Sequence, residues 1–301
     1  MSESRLNIAP VYLVVIAVLL WSTGGLFIKS TTIDAYQLTF FRSLFAAATV
    51  FFLTRKQGLR IDAFGVFTSI IYALLLFLFV WATKKTTAAN AIFLQYTAPI
   101  YILVLAPFVI GEKSRWRDLI TVIVVLGGMS LFFVGQLRLE DYQGNFAALF
   151  SGVFLGLYIM LLRHPRADGF NPAIAVIYGN LLLALLTLPD GYSALAVMLP
   201  MDWFAVFFLG VFQIGIAYIL FIKGVRGGTR PLDASLIGFI EPLLNPVWVF
   251  LFIGERPSRW AILGGAIIIT AIAVHTVREY SGRNRNHVTL ASDVGPPVSP
   301  D

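Results

Sequence analysis

The stretch Glu241-Pro242-Leu243-Leu244-Asn245-Pro246-Val247-Trp248 places a carboxylate, an amide and two prolines inside one apolar run. The run begins near Ala234 and ends at Ile253, where Gly254-Glu255-Arg256 closes it. Roughly 20 apolar residues is the length of a membrane-spanning helix. A carboxylate that deep in a span costs about 3 kcal/mol or more unless it is paired or faces water, so it marks a functional site by default. Each proline removes a backbone donor and loosens the helix around that carboxylate.

The remainder of the chain has the same character. Of its 301 residues 58% are hydrophobic and 13% charged, where a soluble domain carries about 45–50% and about 25%. This is the composition of a multi-spanning membrane protein. With no cysteine, disulfides, thiolate catalysis, Fe–S clusters and cysteine zinc sites are excluded. The net charge of +6 is spread over short loops, which is a topology signal rather than a nucleic-acid footprint. No G-x-x-x-x-G-K-[ST] occurs, so no nucleotide is bound or hydrolysed. His164, His275 and His287 stand apart with no partner at ligand spacing. No metal, cofactor or enzymatic activity is therefore expected, and any driving force is a gradient.

Ten apolar runs can be traced: Pro10–Ile28, Ala35–Thr54, Ala63–Ala82, Ala88–Ile110, Leu119–Val134, Gly144–Leu162, Pro172–Leu188, Trp203–Ile222, Ala234–Ile253 and Ala261–Val277. The predicted fold is all-α with ten transmembrane helices. The first run is too long for a signal-peptide core and has no A-x-A site, so it is read as retained. Of the 22 Lys and Arg residues, 15 fall in loops on the side of Arg5, 6 on the side of Lys29, and Arg42 lies inside a run. The excess of basic loop residues marks the cytoplasmic side, so both termini are predicted cytoplasmic. Residues 1–9 form a short N-terminal segment, and 278–301 a polar tail expected to be disordered.

The chain repeats itself. Pro99 precedes Gly111-Glu112 and Pro242 precedes Gly254-Glu255, with 13 residues from proline to glutamate in each case. The offset between the two motifs is 143 residues, and Ser-Arg-Trp follows both. Two five-helix repeats result, 10–134 and 144–277, joined by a linker at 135–143. Five is odd, so the second repeat enters the membrane from the opposite side. Inverted repeats place a substrate site near the midplane between the halves and support alternating access.

On these residues the chain resembles the drug/metabolite transporter superfamily, in its ten-helix EamA-type branch. The resemblance is carried by Trp21 and Phe27, by Phe40-Phe41-Arg42 and by the paired proline and Gly-Glu motifs, and it covers about residues 10–278. Leu94-Gln95-Tyr96-Thr97-Ala98-Pro99 and the aromatic-rich runs make it most similar to YddG-type amino-acid exporters of the bacterial inner membrane. The resemblance implies export of amino acids, often aromatic ones, and sometimes of unrelated organic compounds. A broad exporter of drugs or organic cations is the alternative, and an intramembrane structural or enzymatic protein a remoter one. The expected partners are a small-molecule substrate and the lipid bilayer, with the chain a monomer or weak dimer.

The candidate substrate-binding residues are Trp21, Phe27, Gln95, Tyr96, Tyr101, Tyr158, Tyr178, Glu241, Asn245 and Trp248, in a cavity between the first, fourth, sixth and ninth helices. Aromatic rings at such a site select aromatic or cationic solutes. Tyr72 and Tyr218 are further aromatic candidates. Glu241 is either a proton or ammonium site, or a structural carboxylate paired with Arg42 or capped by backbone freed at Pro242. Arg42 holds a substrate carboxylate, snorkels to the interface or forms an ion pair. Pro99, Pro242 and Pro246 are candidate hinges. Glu112 is expected to pair at its helix end with Lys113.

Overall fold

The computed structural model describes residues 9–135, 140–169, 171–253 and 258–292. Each apolar run folds as one helix or as one interrupted helix. In the first half these are α1 (Pro10–Trp21) with α2 (Gly24–Lys29), α3 (Ala35–Thr54), α4 (Ala63–Lys85), α5 (Ala88–Gln95) with α6 (Ala98–Val109), and α7 (Trp116–Phe132). The second half begins with α8 (Tyr142–Leu161) and α9 (Ile174–Leu186), the latter followed by α10 (Leu188–Ala194). Then α11 (Pro200–Phe208) runs through a π-helical segment, Leu209–Ile216, into α12 (Ala217–Arg226). Finally come α13 (Pro231–Ile237) with α14 (Ile240–Ile253), and α15 (Arg259–Ser292). Among the described residues there is no strand.

Among the described residues seven helices are long and apolar enough to cross a membrane, and an eighth span appears if α9 and α10, bent by 69°, are taken together. The two remaining runs fall short for visible reasons. α7 has 17 residues, at the lower edge of the spanning range, and the ninth run is broken between α13 and α14. The last helix runs past Val277 as far as Ser292, into the segment expected to be a disordered tail.

Side chains in the connecting loops start the helices. Asp34 accepts from the Tyr36 and Gln37 N–H groups at 2.8 and 2.9 Å, while Gln37 accepts from Asp34 N–H, a capping box for α3. Asp62 and Thr87 do the same for α4 and α5 with one bond each.

Glycines bring backbones into contact where lipid offers no hydrophobic drive. A Cβ at Gly152 of α8 would lie 2.7 Å from the Gln95 carbonyl oxygen, and one at Gly264 of α15 would lie 2.4 Å from that of Gly128 on α7.

Two buried polar ties hold opposite ends of the bundle. At one, Asp202 accepts from Thr32 N–H at 2.7 Å, from the Thr32 hydroxyl at 2.8 Å and from Leu199 N–H at 2.8 Å. At the other, Arg230 binds Glu112 and lies 2.9 Å from Asp118. Glu112 thus pairs across the two halves with Arg230, whereas Lys113, the expected partner, is exposed. Burial works against the charge of Arg230, but its bonds to Asp118 and Glu112 outweigh that and hold its pKa above the usual arginine range. His275, isolated in the sequence, meets Asp233 at 2.9 Å and Thr121 at 3.3 Å.

Candidate functional site

The site is assembled at two helix breaks. Pro99 has no N–H to offer the Gln95 carbonyl, so α5 stops at Gln95 and the chain turns through Tyr96-Thr97. Pro242 has the same effect on Gly238, and the turn there is Gly238-Phe239. Tyr96 and Phe239 stand at the repeat offset of 143 residues, and their rings meet edge to face at 5.0 Å. From this junction the Tyr96 hydroxyl donates to Glu241 Oε2 at 2.7 Å.

Beside the junction lies a cavity of about 100 Å³. Its polar lining comes from Arg42 of α3, Gln95 and Tyr96 at the first break, Gln213 of the π-helical segment, Tyr218 of α12 and Glu241 of α14. Trp21 of α1 adds an indole wall, and Leu155 of α8 an apolar one. The lining thus draws on the first, fourth, sixth and ninth runs and on the second, third and eighth. Ile28, Phe79, Thr83 and Ile92 carry the lining towards one end of the bundle. Thr83 lies in the last turn of α4 and Ile92 in α5. The Arg230 cluster is not in this lining; it joins the start of α13 to residues 112–118.

Arg42 is 2% exposed, and its Nε and Nη2 are buried with no hydrogen-bond partner. Trp21 Nε1 and Gln213 Oε1 are likewise buried and unpartnered. Among the described residues no carboxylate lies within ion-pair distance of Arg42. The expected alternative of an Arg42–Glu241 ion pair is therefore corrected. The two charges come from separate helices and share the cavity lining with Tyr218. Trp21 packs on Tyr218 at 4.9 Å and on Phe221 at 4.8 Å.

The other candidates have different places. Gln95 reaches the cavity but donates to Ser151 Oγ at 2.8 Å, and Ser151 in turn donates to the Leu75 carbonyl, so this amide also bridges helices. Tyr158 is fully buried behind the wall, 5.1 Å from Tyr72 and 6.0 Å from Tyr218. Trp248 donates to Ser22 Oγ at 3.1 Å, tying α14 to the break after α1. Tyr101 packs on α8 at Gly156. Phe27 stacks on Phe208 at 4.2 Å in a separate apolar cluster. Tyr178 donates to the Leu59 carbonyl at 3.1 Å. None of these last five lines the cavity. The side chains of Asn245 and Pro246 lie outside those described, while Pro99 and Pro242 are buried just past their breaks.

Gln213 is the residue that the sequence reading passed over. A lone amide inside an apolar span carries the same signal as Glu241, and the rule that singled out the carboxylate also applies to it. Its helix is π-helical there, a distortion found often at functional sites.

Comparison with known proteins agrees with this architecture. The EamA-like transporter family matches residues 8–134 and again 142–277. The uncharacterized transporter YxxF of Bacillus subtilis is 23% identical over 94% of each chain. The pseudopaline exporter CntI of Pseudomonas aeruginosa is 23% identical over 87% of this chain and 93% of its own. A probable terminal-alkyne amino-acid exporter of Streptantibioticus cattleyicolor is 23% identical over 69% of this chain and 70% of its own. One solved crystal structure superposes with a TM-score of 0.75 at 23% identity, covering 89% of this chain and 97% of that one. A chain of apolar helices matched in both halves by one family belongs to that family: this is a multi-pass membrane protein of the EamA-like transporters, within the drug/metabolite transporter superfamily, and a transporter rather than an enzyme.

Proposed function

We propose that the chain is a secondary transporter that exports amino acids or related small metabolites by alternating access. The observation that carries this reading is the cavity where Arg42 and Glu241, unpaired with each other, face one space beside two proline breaks. Buried polar groups of both signs are costly in a membrane protein and are kept where a polar solute passes. The amino-acid exporter among the relatives supports the substrate class.

In this reading ten spans form two inverted five-helix repeats in a bacterial inner membrane, with both termini cytoplasmic. Trp21, Arg42, Gln95, Tyr96, Tyr218 and Glu241 contact the solute. The Arg230 cluster closes the cytoplasmic end, and the cavity extends outward past Thr83. Alternating access then requires the two halves to exchange which end is closed. Pro99 and Pro242 are the places where their spans can bend.

The organic-cation alternative draws on Glu241 and the Trp21–Tyr218 wall, but Arg42 in the same cavity opposes a second cation. The test is counterflow of labelled amino acids in proteoliposomes holding the purified chain. Flux above that of empty liposomes is expected for at least one amino acid. No flux with any small organic solute overturns the transporter mechanism proposed here.

A further inference from the structure

We infer that the cavity is a zwitterion site, in which Arg42 takes the substrate carboxylate and Glu241 takes its ammonium group. The inference rests on the cavity being the transport site and assigns the charges that its ligand must carry.

The first support is the atoms left unused. Nε and Nη2 form one edge of a guanidinium, the edge that meets a carboxylate through two parallel N–H bonds. Both are buried without a partner in Arg42. The same pair of atoms in Arg230 is occupied, by Glu112 and Asp118. One arginine of this protein therefore has its double-donor edge filled by its own carboxylates, and the other, in the cavity lining, keeps that edge buried without a partner. A guanidinium does not shed its proton to escape burial, and an uncompensated buried charge is strongly destabilising. An anion that arrives with the substrate removes that cost.

The second support is the opposite charge. Tyr96 occupies Glu241 Oε2, and among the described residues Oε1 has no protein donor. Gln213, a residue of the same lining, holds a second acceptor without a partner, its buried Oε1. An ammonium group needs several acceptors, and these two side chains supply them. Trp21 and Tyr218, packed on each other, both line the cavity, and aromatic rings attract cations.

Charge balance then selects the class. An organic cation would satisfy Glu241 and leave Arg42 unpaired. A carboxylic or phosphoric acid would satisfy Arg42 and be repelled by Glu241. A zwitterion satisfies both and adds no net charge to the interior.

The experiment uses the full chain in proteoliposomes with alanine, leucine and phenylalanine as probes. Each is compared with its amide, which keeps only the positive charge, and with its deamino acid, which keeps only the negative one. At least one amino acid is expected to move about tenfold or more faster than either analogue, as loss of a charged hydrogen-bond pair predicts. Arg42→Gln is expected to abolish the preference over the amide, and Glu241→Gln the preference over the deamino acid. Analogues that move as fast as the parent amino acid overturn the zwitterion assignment while leaving the transporter reading intact. No movement of any amino acid or analogue overturns both. If either variant fails to fold, the ratios measured on the native protein decide the matter alone. Folded variants that keep both native ratios overturn the residue assignment.

Discussion

The Tyr96 hydroxyl donates to Glu241 Oε2 at 2.7 Å, and this bond joins the helix break of one half to the helix break of the other. Tyr96 to Phe changes only that donor. The half-buried carboxylate in the cavity lining then loses its protein donor, so a stability loss of about 1–3 kcal/mol is expected. Thermal unfolding in detergent measures it. In a Glu241→Gln background the same change is expected to cost clearly less, and equal losses in both backgrounds would show that the bond is not the cause.

Arg230 holds two carboxylates of the first half. Arg230→Ala leaves Asp118 buried without its cation and Glu112, half-buried, without its partner, and breaking such a buried pair costs about 3–5 kcal/mol in comparable sites. Arg230→Lys keeps the charge and loses the fork, so an intermediate loss is expected. Chemical or thermal unfolding ranks the three proteins.

That cluster also has a consequence for access. The chain lacks cysteine, so Ser235→Cys, buried on α13, is a unique label site. A maleimide is expected to react slowly with it, and faster once Arg230→Ala is added. The pKa of Arg230 is raised in the folded protein, so its share of stability is complete below its unfolded pKa and fades only as pH climbs through the folded one. Both lie far above neutrality, so labelling is expected to change little through this arginine between about pH 6 and 9.

Gly152 and Gly127 make a matched pair. A Cβ at Gly152 meets the Gln95 and Leu94 carbonyl oxygens at 2.7 and 3.0 Å, whereas nothing lies within 4 Å of one at Gly127. Gly152→Ala is expected to push α8 off the broken helix and destabilise by about 1–3 kcal/mol. Gly127→Ala is expected to be neutral or slightly stabilising, since alanine is the better helix former. Melting temperatures that move together would contradict this packing.

Much of this architecture is legible in the residues themselves. Run lengths of apolar residues locate the helices, because a bilayer demands a fixed length and satisfied backbone. Pro99 and Pro242 mark the two breaks, because a missing N–H is a covalent fact. Glu241 and Arg42 declare themselves as costly charges in spans. What one chain of letters does not contain is which side of a helix faces which neighbour. Most of the aromatic candidates lie away from the cavity lining for that reason, since lipid, core and cavity all accept Phe, Tyr and Trp. Tyr158 is packed behind the wall and Phe27 belongs to another cluster. Gln213 points into the cavity from a π-helical turn whose altered period no α-helical register predicts.

The partners of the charged groups were decided by the tertiary structure alone. Glu112 finds Arg230, His275 finds Asp233, and Glu241 finds Tyr96 rather than Arg42. Sequence determines the price of a charge in a membrane, because that depends only on depth and solvation. Its partner depends on distances of a few ångströms between helices far apart in the chain, and packing alone sets those.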